Sequence, residues 1–249
     1  MTVVSYAQNF EDIMLLRALD DVSEGFYIDV GACSPDADSV TRLFYDRGWR
    51  GINVEPHPGH LQQLESKRPD DTNLGVVVAG KSGTALFHQV GDTGLSSTNP
   101  EIARTHEATG LPVTELEVPA TTLRDLWTAH VPEGQAVHFL KIDVEGSEWW
   151  LLEALTAEPT LLCALSYIFV EFHSTASAQQ RTRLTSYGLR EDLFEHLKQK
   201  VHAAMETPRC RLQIYWRSFW ASCGDKQRFE WRTSAQVTDA AFVPDEKRG

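Results

Sequence analysis

Long apolar runs and a basic leader are both missing from this chain of 249 residues. The longest apolar run, 161–170, is interrupted by Ser166, and it is much shorter than the ~20 residues that a membrane-spanning helix needs. The first residues, MTVVSYAQNFEDIM, contain no basic stretch followed by an apolar core, which a secretory signal would require. The sequence therefore predicts a soluble, cytoplasmic protein without a membrane span.

Cysteine and positive charge are also scarce. The four cysteines form no CxxC pair and no cluster with histidine at the spacing of zinc ligands, so we expect free thiols in a reducing compartment at Cys33, Cys163, Cys210 and Cys223. Lys and Arg total 23 against 35 Asp and Glu, which leaves a formal net charge of −12. Such a surface repels a phosphate backbone, so the composition argues against nucleic acid as a partner.

What the chain does contain is an alternation of short apolar runs and amphipathic segments. Five strands are predicted at FYIDVG (26–31), RGINVEP (50–56), LGVVVAG (74–80), AVHFLKIDVEG (136–146) and LSYIFVEFH (165–173). Helices are predicted at 36–47, 60–67, 147–155 and 178–205. Strands this apolar, separated by helices, indicate an α/β domain with a mostly parallel sheet and helices on both faces. We interpret residues 1–249 as one such domain.

Two regions interrupt this alternation. Residues 91–119 are rich in Thr, Ser, Gly and Pro and have little periodicity, which predicts a loop or lid on the substrate side. Residues 207–249 are rich in aromatics and predict two strands joined around Gly224, followed by a tail. We interpret these aromatics as a stripe facing the core.

Acidic residues follow the ends of the predicted strands, where an open parallel sheet binds its ligands. The strand-end residues are Asp29 and Gly31, Glu55, Asp143 and Glu145, and Glu171 and His173. Four of them have a structural alternative: Asp29 can cap a helix, Glu55 can be an exposed acid, Asp143 can pair with Lys141, and His173 can be a histidine of the sheet wall. Their joint placement favours a binding site.

The glycine pattern indicates which cofactor this site would take. A dinucleotide-binding GxGxxG that starts at Gly31 would need glycines where the chain has Cys33 and Asp36. S-adenosylmethionine (SAM) has no pyrophosphate and needs one permissive glycine with a ribose-binding acid on the next strand. Gly31 with Asp29 and Glu55 fits SAM better than NAD.

Four segments resemble the FkbM family of SAM-dependent methyltransferases: SYAQNFEDIMLLRAL (5–19), GFYIDVGA (25–32), SVTRLFYDRGWRGINVEPHP (39–58) and LKIDVEGSEWWLLE (140–153). The resemblance implies a Rossmann-like class I methyltransferase sheet, mostly parallel with an antiparallel C-terminal strand. It implies that residues 1–24 cover the cofactor and that the serines of GLSST (94–98) face the cofactor or acceptor. The implied cofactor contacts are Tyr6, Gln8, Asp12, Asp29, Gly31, Ala32, Glu55, Pro56 and Asp143. Cys33 departs from the asparagine that is common in the family.

The resulting interpretation is an O-methyltransferase that acts on a hydroxyl of a sugar or of a glycosylated or small-metabolite acceptor. The expected catalytic residues are His173 as the base, because its ordinary pKa lies near neutrality, with Asp143 and Glu145. The same carboxylates could hold Mg²⁺, but we favour a route without metal. An NAD-dependent oxidoreductase and a carbohydrate-binding module without catalytic activity are the alternatives.

Overall fold

The computed structural model describes residues 3–148, 151, 154–155, 158–173, 213–219 and 229–230. The helices are α1 (Glu11–Ala18), α2 (Arg42–Tyr45), α3 (Pro58–Lys67), α4 (Pro100–Ala108), α5 (Leu123–His130) and α6 (Pro159–Ala164), and residues 148, 151, 154 and 155 are also helical. The strands are β1 (Phe26–Val30), β2 (Arg50–Val54), β3 (Thr72–Leu74), β4 (Val77–Val78), β5 (Gly83–Val90), β6 (Val113–Thr121), β7 (Val137–Ile142), β8 (Leu165–His173), β9 (Gln213–Phe219) and β10 (Phe229–Glu230).

The main sheet has the order β10-β9-β8-β7-β1-β2-β3. All of its neighbouring strands are parallel except β9 and β10, which are antiparallel. This arrangement confirms the predicted α/β fold, a mostly parallel Rossmann-like sheet with an antiparallel strand at its C-terminal edge. The chain leaves β1 toward β2 and β3 on one side and returns to β7 and β8 on the other, so the order reverses between β1 and β7.

Both faces of this sheet are covered, because alternate residues of each strand point to opposite sides. Ile28 of β1 packs in a buried cluster with Leu126 of α5 and with Leu151. Tyr27, its neighbour in sequence, packs in a second cluster with Leu15 of α1 and Phe44 of α2. The polar residues Asp29 and Lys141 follow Tyr27 and Phe139 by two positions, so they share the face that α1 and α2 cover.

The third predicted strand is wrong as a single element. The segment 74–80 is divided between β3, which extends the main sheet, and β4, which belongs to a second sheet of order β4-β6-β5. The predicted loop 91–119 is likewise too long, since it contains α4 and most of β6. Strand β6 is half exposed, and only Val118 and Ala120 within it are buried. Its sequence therefore lacks the continuous apolar run that would have indicated a strand.

The helix predicted over 36–47 is also wrong in extent, because only the four residues of α2 are helical. Asp38 has a left-handed backbone with φ 56°, which ends any helix that includes it. The Ser34 hydroxyl accepts hydrogen bonds from the N–H groups of Asp36 and Ala37, and the buried Arg68 side chain donates to the carbonyl of Pro35. These contacts hold residues 35–41 as a loop over the end of β1.

The C-terminal prediction of two strands around Gly224 agrees with the backbone of β9 and β10. The predicted helix 178–205 and the tail after residue 230 lie outside the described residues. Among the described helices, none combines the length and the apolar character that crossing a membrane would require.

Candidate functional site

A cleft of about 360 Å³ opens at the carboxyl edge of the main sheet, where the strand order reverses. Its lining comes from the residues that follow β1, β2 and β7, from β4 and the loop 92–98, and from the N-terminal segment around Gln8. Open α/β sheets bind ligands at this position, and the volume lies in the range of small-molecule and cofactor sites.

Gly31 begins the turn after β1 and brings two strand ends together. Its φ is 81°, and a Cβ at this position would lie 1.7 Å from the carbonyl oxygen of Asp143. The N–H of Asp143 donates to the carbonyl of Val30 at 3.0 Å, and the N–H of Gly31 donates to the carbonyl of Val54 at 2.9 Å. Glycine is therefore required because the backbone after β7 crosses directly over it.

Glu55 follows β2 and is 5% exposed at the side of the cleft. One carboxylate oxygen accepts the N–H of His57 at 2.8 Å, and the other accepts the N–H of Cys33 at 2.7 Å. Burial raises the pKa of Glu55 above its ordinary value, and these two N–H groups oppose that shift. The carboxylate thus ties the turn after β1 to the turn after β2 and is held in a fixed orientation.

Lys141 lines the cleft and forms an ion-paired cluster there. Its ammonium lies 3.2 Å from Asp29 and 3.3 Å from Asp143, and it donates to the carbonyl of Gly31 at 2.5 Å. Asp29, which is 1% exposed, also accepts a hydrogen bond from the Thr41 hydroxyl at 2.8 Å. The predicted pairing of Asp143 with Lys141 is therefore present, and the same ammonium also balances Asp29.

The non-glycine residues with left-handed backbone cluster at this site. Among the described residues they are Phe10, Cys33, Asp38 and Glu145. The last three line the cleft, and Phe10 lies between Gln8 and Glu11, which also line it. Such conformations are costly and persist where surrounding contacts hold them, most often at functional sites.

The turn after β7 shows how one of these conformations is held. Glu145 has φ 54° and is 5% exposed. The buried Ser97 hydroxyl donates to the carbonyl of Glu145 at 2.6 Å, and the carboxylate of Glu148 accepts the N–H of Gly146 at 2.8 Å. Ser97 is therefore used to fix this turn, whereas its neighbours Ser96 and Thr98 line the cleft.

The N-terminal segment reaches the cleft through part of its residues. Gln8 and Glu11 line it. Asp12 is 0% exposed and accepts hydrogen bonds from the Ser5 hydroxyl and the Tyr6 N–H. The guanidinium of Arg42 lies 5.5 Å from the centroid of the Tyr6 ring. Asp12 and Tyr6 thus anchor the segment, and Gln8 and Glu11 face the space where a ligand would lie.

Cys33 contributes its backbone rather than a polar side chain to the site. Its N–H donates to Glu55, and its thiol lies 3.6 Å from Nδ1 of His60. Burial, followed by the nearby Glu55 carboxylate, raises the pKa of the Cys33 thiol to about 11. The thiol is therefore largely protonated near neutral pH and is a poor nucleophile.

This pKa predicts that Cys33 reacts slowly with iodoacetamide. At about pH 8 the expected rate is about a hundredfold below that of a free cysteine with a pKa of about 8.5, because the thiolate fraction is lower. Peptide mapping by mass spectrometry measures the reaction at Cys33, and the urea-unfolded protein serves as the control. Equal rates in folded and unfolded protein would contradict the assignment of a buried, protonated thiol.

The predicted site residues divide into three groups. Those that line the cleft are Gln8, Gly31, Ala32, Glu55, Pro56, Asp143 and Glu145. Tyr6, Asp12 and Asp29 lie behind the lining, where they hold other residues in place. Their direct contacts with a cofactor stay predictions. The backbone places Glu171 and His173 at the carboxyl end of β8, beside β7, and their side chains are outside the described part of the structure.

Sequence reasoning missed several residues that face the cleft or support it. Glu11, Asp38, His57, His60 and Asp92 line it. A signal was available for His57, because a polar residue directly before Pro58 is typical of a helix N-cap. Within the described residues, no group of three or more His, Cys, Asp or Glu side chains is placed to hold a metal ion.

The sheet and the cleft define an α/β protein with a Rossmann-like sheet and a cleft at its topological switch point. The model of the Methyltransferase FkbM domain matches residues 29–207, which is most of the chain, so the protein belongs to the FkbM methyltransferase family. No curated protein and no solved structure matches the chain. Family membership makes the protein a methyltransferase and favours methyl transfer over hydride transfer or carbohydrate binding without catalysis.

Proposed function

We propose that the protein is a SAM-dependent O-methyltransferase that methylates a hydroxyl of a sugar or of a glycosylated or small-metabolite acceptor. The cofactor assignment rests chiefly on the Glu55 carboxylate, which lies in the cleft beside Gly31 and accepts one backbone N–H on each oxygen. Each oxygen keeps a lone pair, so the carboxylate can accept hydrogen bonds from two ribose hydroxyls.

The charge of the lining supports a cationic cofactor. Glu11, Glu55, Asp143 and Glu145 line the cleft, with the Lys141 ammonium among them. An excess of carboxylates attracts a cation and disfavours a polyphosphate. When bound, SAM supplies a methyl group that is activated by the positive charge of its sulfonium.

The turn after β1 argues against a dinucleotide. A pyrophosphate binds at the N-terminus of a helix that directly follows the glycine-rich turn. Here residues 35–41 form a loop, and α2 begins only at Arg42 and has four residues. Gly31 is present for the close crossing of Asp143 rather than as one member of a glycine-rich cradle.

The protein's own part in methyl transfer is to align the acceptor and to take its proton. We assign the proton to His173, which the backbone places at the carboxyl end of β8. We assign the orientation of the acceptor or of the reacting methyl group to Asp143, which is 25% exposed in its side chain and held by Lys141. We assign the role of second catalytic carboxylate to Glu145, which also lines the cleft.

A methyl-transfer screen tests this function. The purified protein is incubated with SAM that carries a labelled methyl group and with panels of sugars, glycolipids and peptides. We expect label in a hydroxyl-bearing acceptor, with turnover that persists in EDTA. Label on peptide nitrogen would overturn the acceptor class, and activity that is lost in EDTA and restored by Mg²⁺ would replace the route without metal.

The SAM site itself is tested by Glu55→Ala. This substitution should weaken SAM binding by about 1–3 kcal/mol, because ribose hydroxyls and the buried N–H groups of Cys33 and His57 lose their acceptor. Calorimetric titration measures the affinity. Glu65→Ala, an exposed change on α3, is the matched control and should bind as wild type. Unchanged SAM affinity in folded Glu55→Ala would show that the site is assigned wrongly.

A further inference from the structure

The Arg68 side chain is buried against the loop that follows β1. Arg68 is the C-cap residue of α3 and is 1% exposed. Its Nη1 donates to the Thr41 hydroxyl, and its Nη2 donates to the Pro35 carbonyl and to the Ser39 hydroxyl, each at 2.6 Å. Its Nε is buried and has no hydrogen-bond partner in the described part of the chain. Every hydrogen bond that this guanidinium makes among the described residues therefore goes to the loop 35–41.

The hydrogen bonds and the charge of Arg68 act on different partners. The three acceptors are neutral oxygens, although a buried charge is costly unless it is paired and hydrogen-bonded. The Thr41 hydroxyl donates in turn to Asp29 at 2.8 Å. Burial raises the pKa of the Asp71 carboxyl, and the charge of Arg68 is among the influences that oppose this rise. The charge thus stabilises buried acids nearby, whereas the hydrogen bonds hold the loop.

The loop 35–41 forms part of the wall of the cleft. Ala37, Asp38 and Val40 line the cleft, as does Ser34 directly before the loop. The residues that bond to Arg68 alternate with these along the chain, so the loop faces the cleft on one side and the guanidinium on the other. Asp38 has a left-handed backbone with φ 56°, and such a conformation persists only where surrounding contacts hold it.

The loop also has contacts that do not involve Arg68. The Ser34 hydroxyl accepts two N–H groups of the loop, which shapes the turn without attaching it to a helix. Asp36 forms ion pairs, but its side chain is 42% exposed, and exposed pairs contribute little. The Ser39 N–H donates to the Tyr6 carbonyl at 3.1 Å and so connects the loop to the N-terminal segment. Arg68 supplies the buried attachment that extends from the first residue of the loop to the last.

We propose that Arg68 is a positioning residue for the cofactor, whose guanidinium holds the loop 35–41 in the conformation that forms one wall of the SAM site. The inference rests on the proposed function, because the cofactor concerned is SAM. The apparent affinity of a ligand falls with the fraction of molecules in which its site is formed. Loss of the guanidinium therefore weakens SAM binding, although Arg68 itself does not line the cleft.

Two substitutions separate the hydrogen bonds of Arg68 from its charge. Arg68→Lys keeps the positive charge near Asp29 and Asp71, but a single ammonium cannot reach all the acceptors that the planar guanidinium reaches. Arg68→Met removes the charge and the hydrogen bonds together. Arg47→Met, an exposed change just after α2, is the matched control for the change from arginine to methionine. Leu126→Ala, at a position in α5 that is 1% exposed, is the control for a loss of stability away from the cleft.

The experiment measures the dissociation constant of SAM by calorimetry, at a temperature at which circular dichroism shows each variant to be folded. We expect Arg68→Lys to bind SAM about three- to tenfold more weakly than wild type, the effect of one hydrogen bond. Arg68→Met should bind at least about tenfold more weakly, because it loses every bond to the loop. Arg47→Met and Leu126→Ala should bind as wild type, although Leu126→Ala unfolds at a lower urea concentration because it leaves a cavity in the core.

Hydrogen exchange of the amides of residues 36–41 gives a readout without any ligand. We expect these amides to exchange about three- to tenfold faster in Arg68→Lys than in wild type. The proposal is overturned if Arg68→Lys binds SAM as tightly as wild type, or if Leu126→Ala loses as much affinity as Arg68→Lys. Arg68→Lys alone decides the outcome if Arg68→Met does not fold. Failure of wild type to bind SAM would overturn the proposed function, and the exchange data would still decide whether Arg68 holds the loop.

Discussion

Gly31→Ala is expected to destabilise the protein by about 2–5 kcal/mol, because a left-handed backbone and a steric clash act together. The added Cβ would lie 1.7 Å from the carbonyl oxygen of Asp143, so the ends of β1 and β7 would have to separate. Urea unfolding monitored by circular dichroism measures the change. SAM binding should be lost with it, because the same separation displaces Asp143 from the cleft.

Gly48→Ala is the control that isolates the clash. Gly48 has a similar positive φ of 91°, but a Cβ there would meet nothing within 4 Å. Its replacement should cost about 1–2 kcal/mol, the cost of the left-handed backbone alone. If the two variants unfold at the same urea concentration, the close crossing of β1 and β7 does not contribute to stability.

Lys141→Met is expected to destabilise the protein by about 3–5 kcal/mol, because it leaves a buried carboxylate without its cation. The affected carboxylate is Asp29, which is 1% exposed and lies 3.2 Å from the ammonium. The double variant Lys141→Met with Asp29→Asn should recover most of the loss, since asparagine is neutral and can still accept the Thr41 hydroxyl. Thermal and urea unfolding of wild type, the two single variants and the double variant measure the coupling.

An exposed ion pair provides the comparison. Lys67 pairs with Asp36, and the two side chains are 47% and 42% exposed. Lys67→Met should therefore change stability by less than about 1 kcal/mol. A loss for Lys141→Met as small as this one would mean that Asp29 does not depend on Lys141.

The strands that could be predicted are those whose burial in the tertiary structure produces a recognisable pattern of apolar residues in the sequence. Strands β1, β2, β7 and β8 are buried on both faces of a parallel sheet, so each appears in the sequence as a continuous apolar run. The part of the chain around β5 and β6 could not be predicted in this way, because β6 is exposed along most of one side and its few buried positions, Val118 and Ala120, give no run.

The same distinction holds for the candidate site. Glu55, Asp143 and Glu145 could be placed at one edge because the carboxyl ends of parallel strands meet there. The partners of these residues could not be predicted. Ser97 is 48 positions from Glu145, and Cys33 is 22 positions from Glu55. No local pattern relates residues at such separations.

The sequence by itself determined the class of sheet, the single glycine after the first strand and the edge at which the acids gather, because these follow from periodicities of a few residues. Only the tertiary structure decided why that position must be glycine and which acids face the cleft. These properties depend on atoms from distant segments that come within about 3 Å of each other, a distance at which hydrogen bonding and steric exclusion act. Such contacts are set by how the helices and strands pack. This packing cannot be predicted from local sequence patterns.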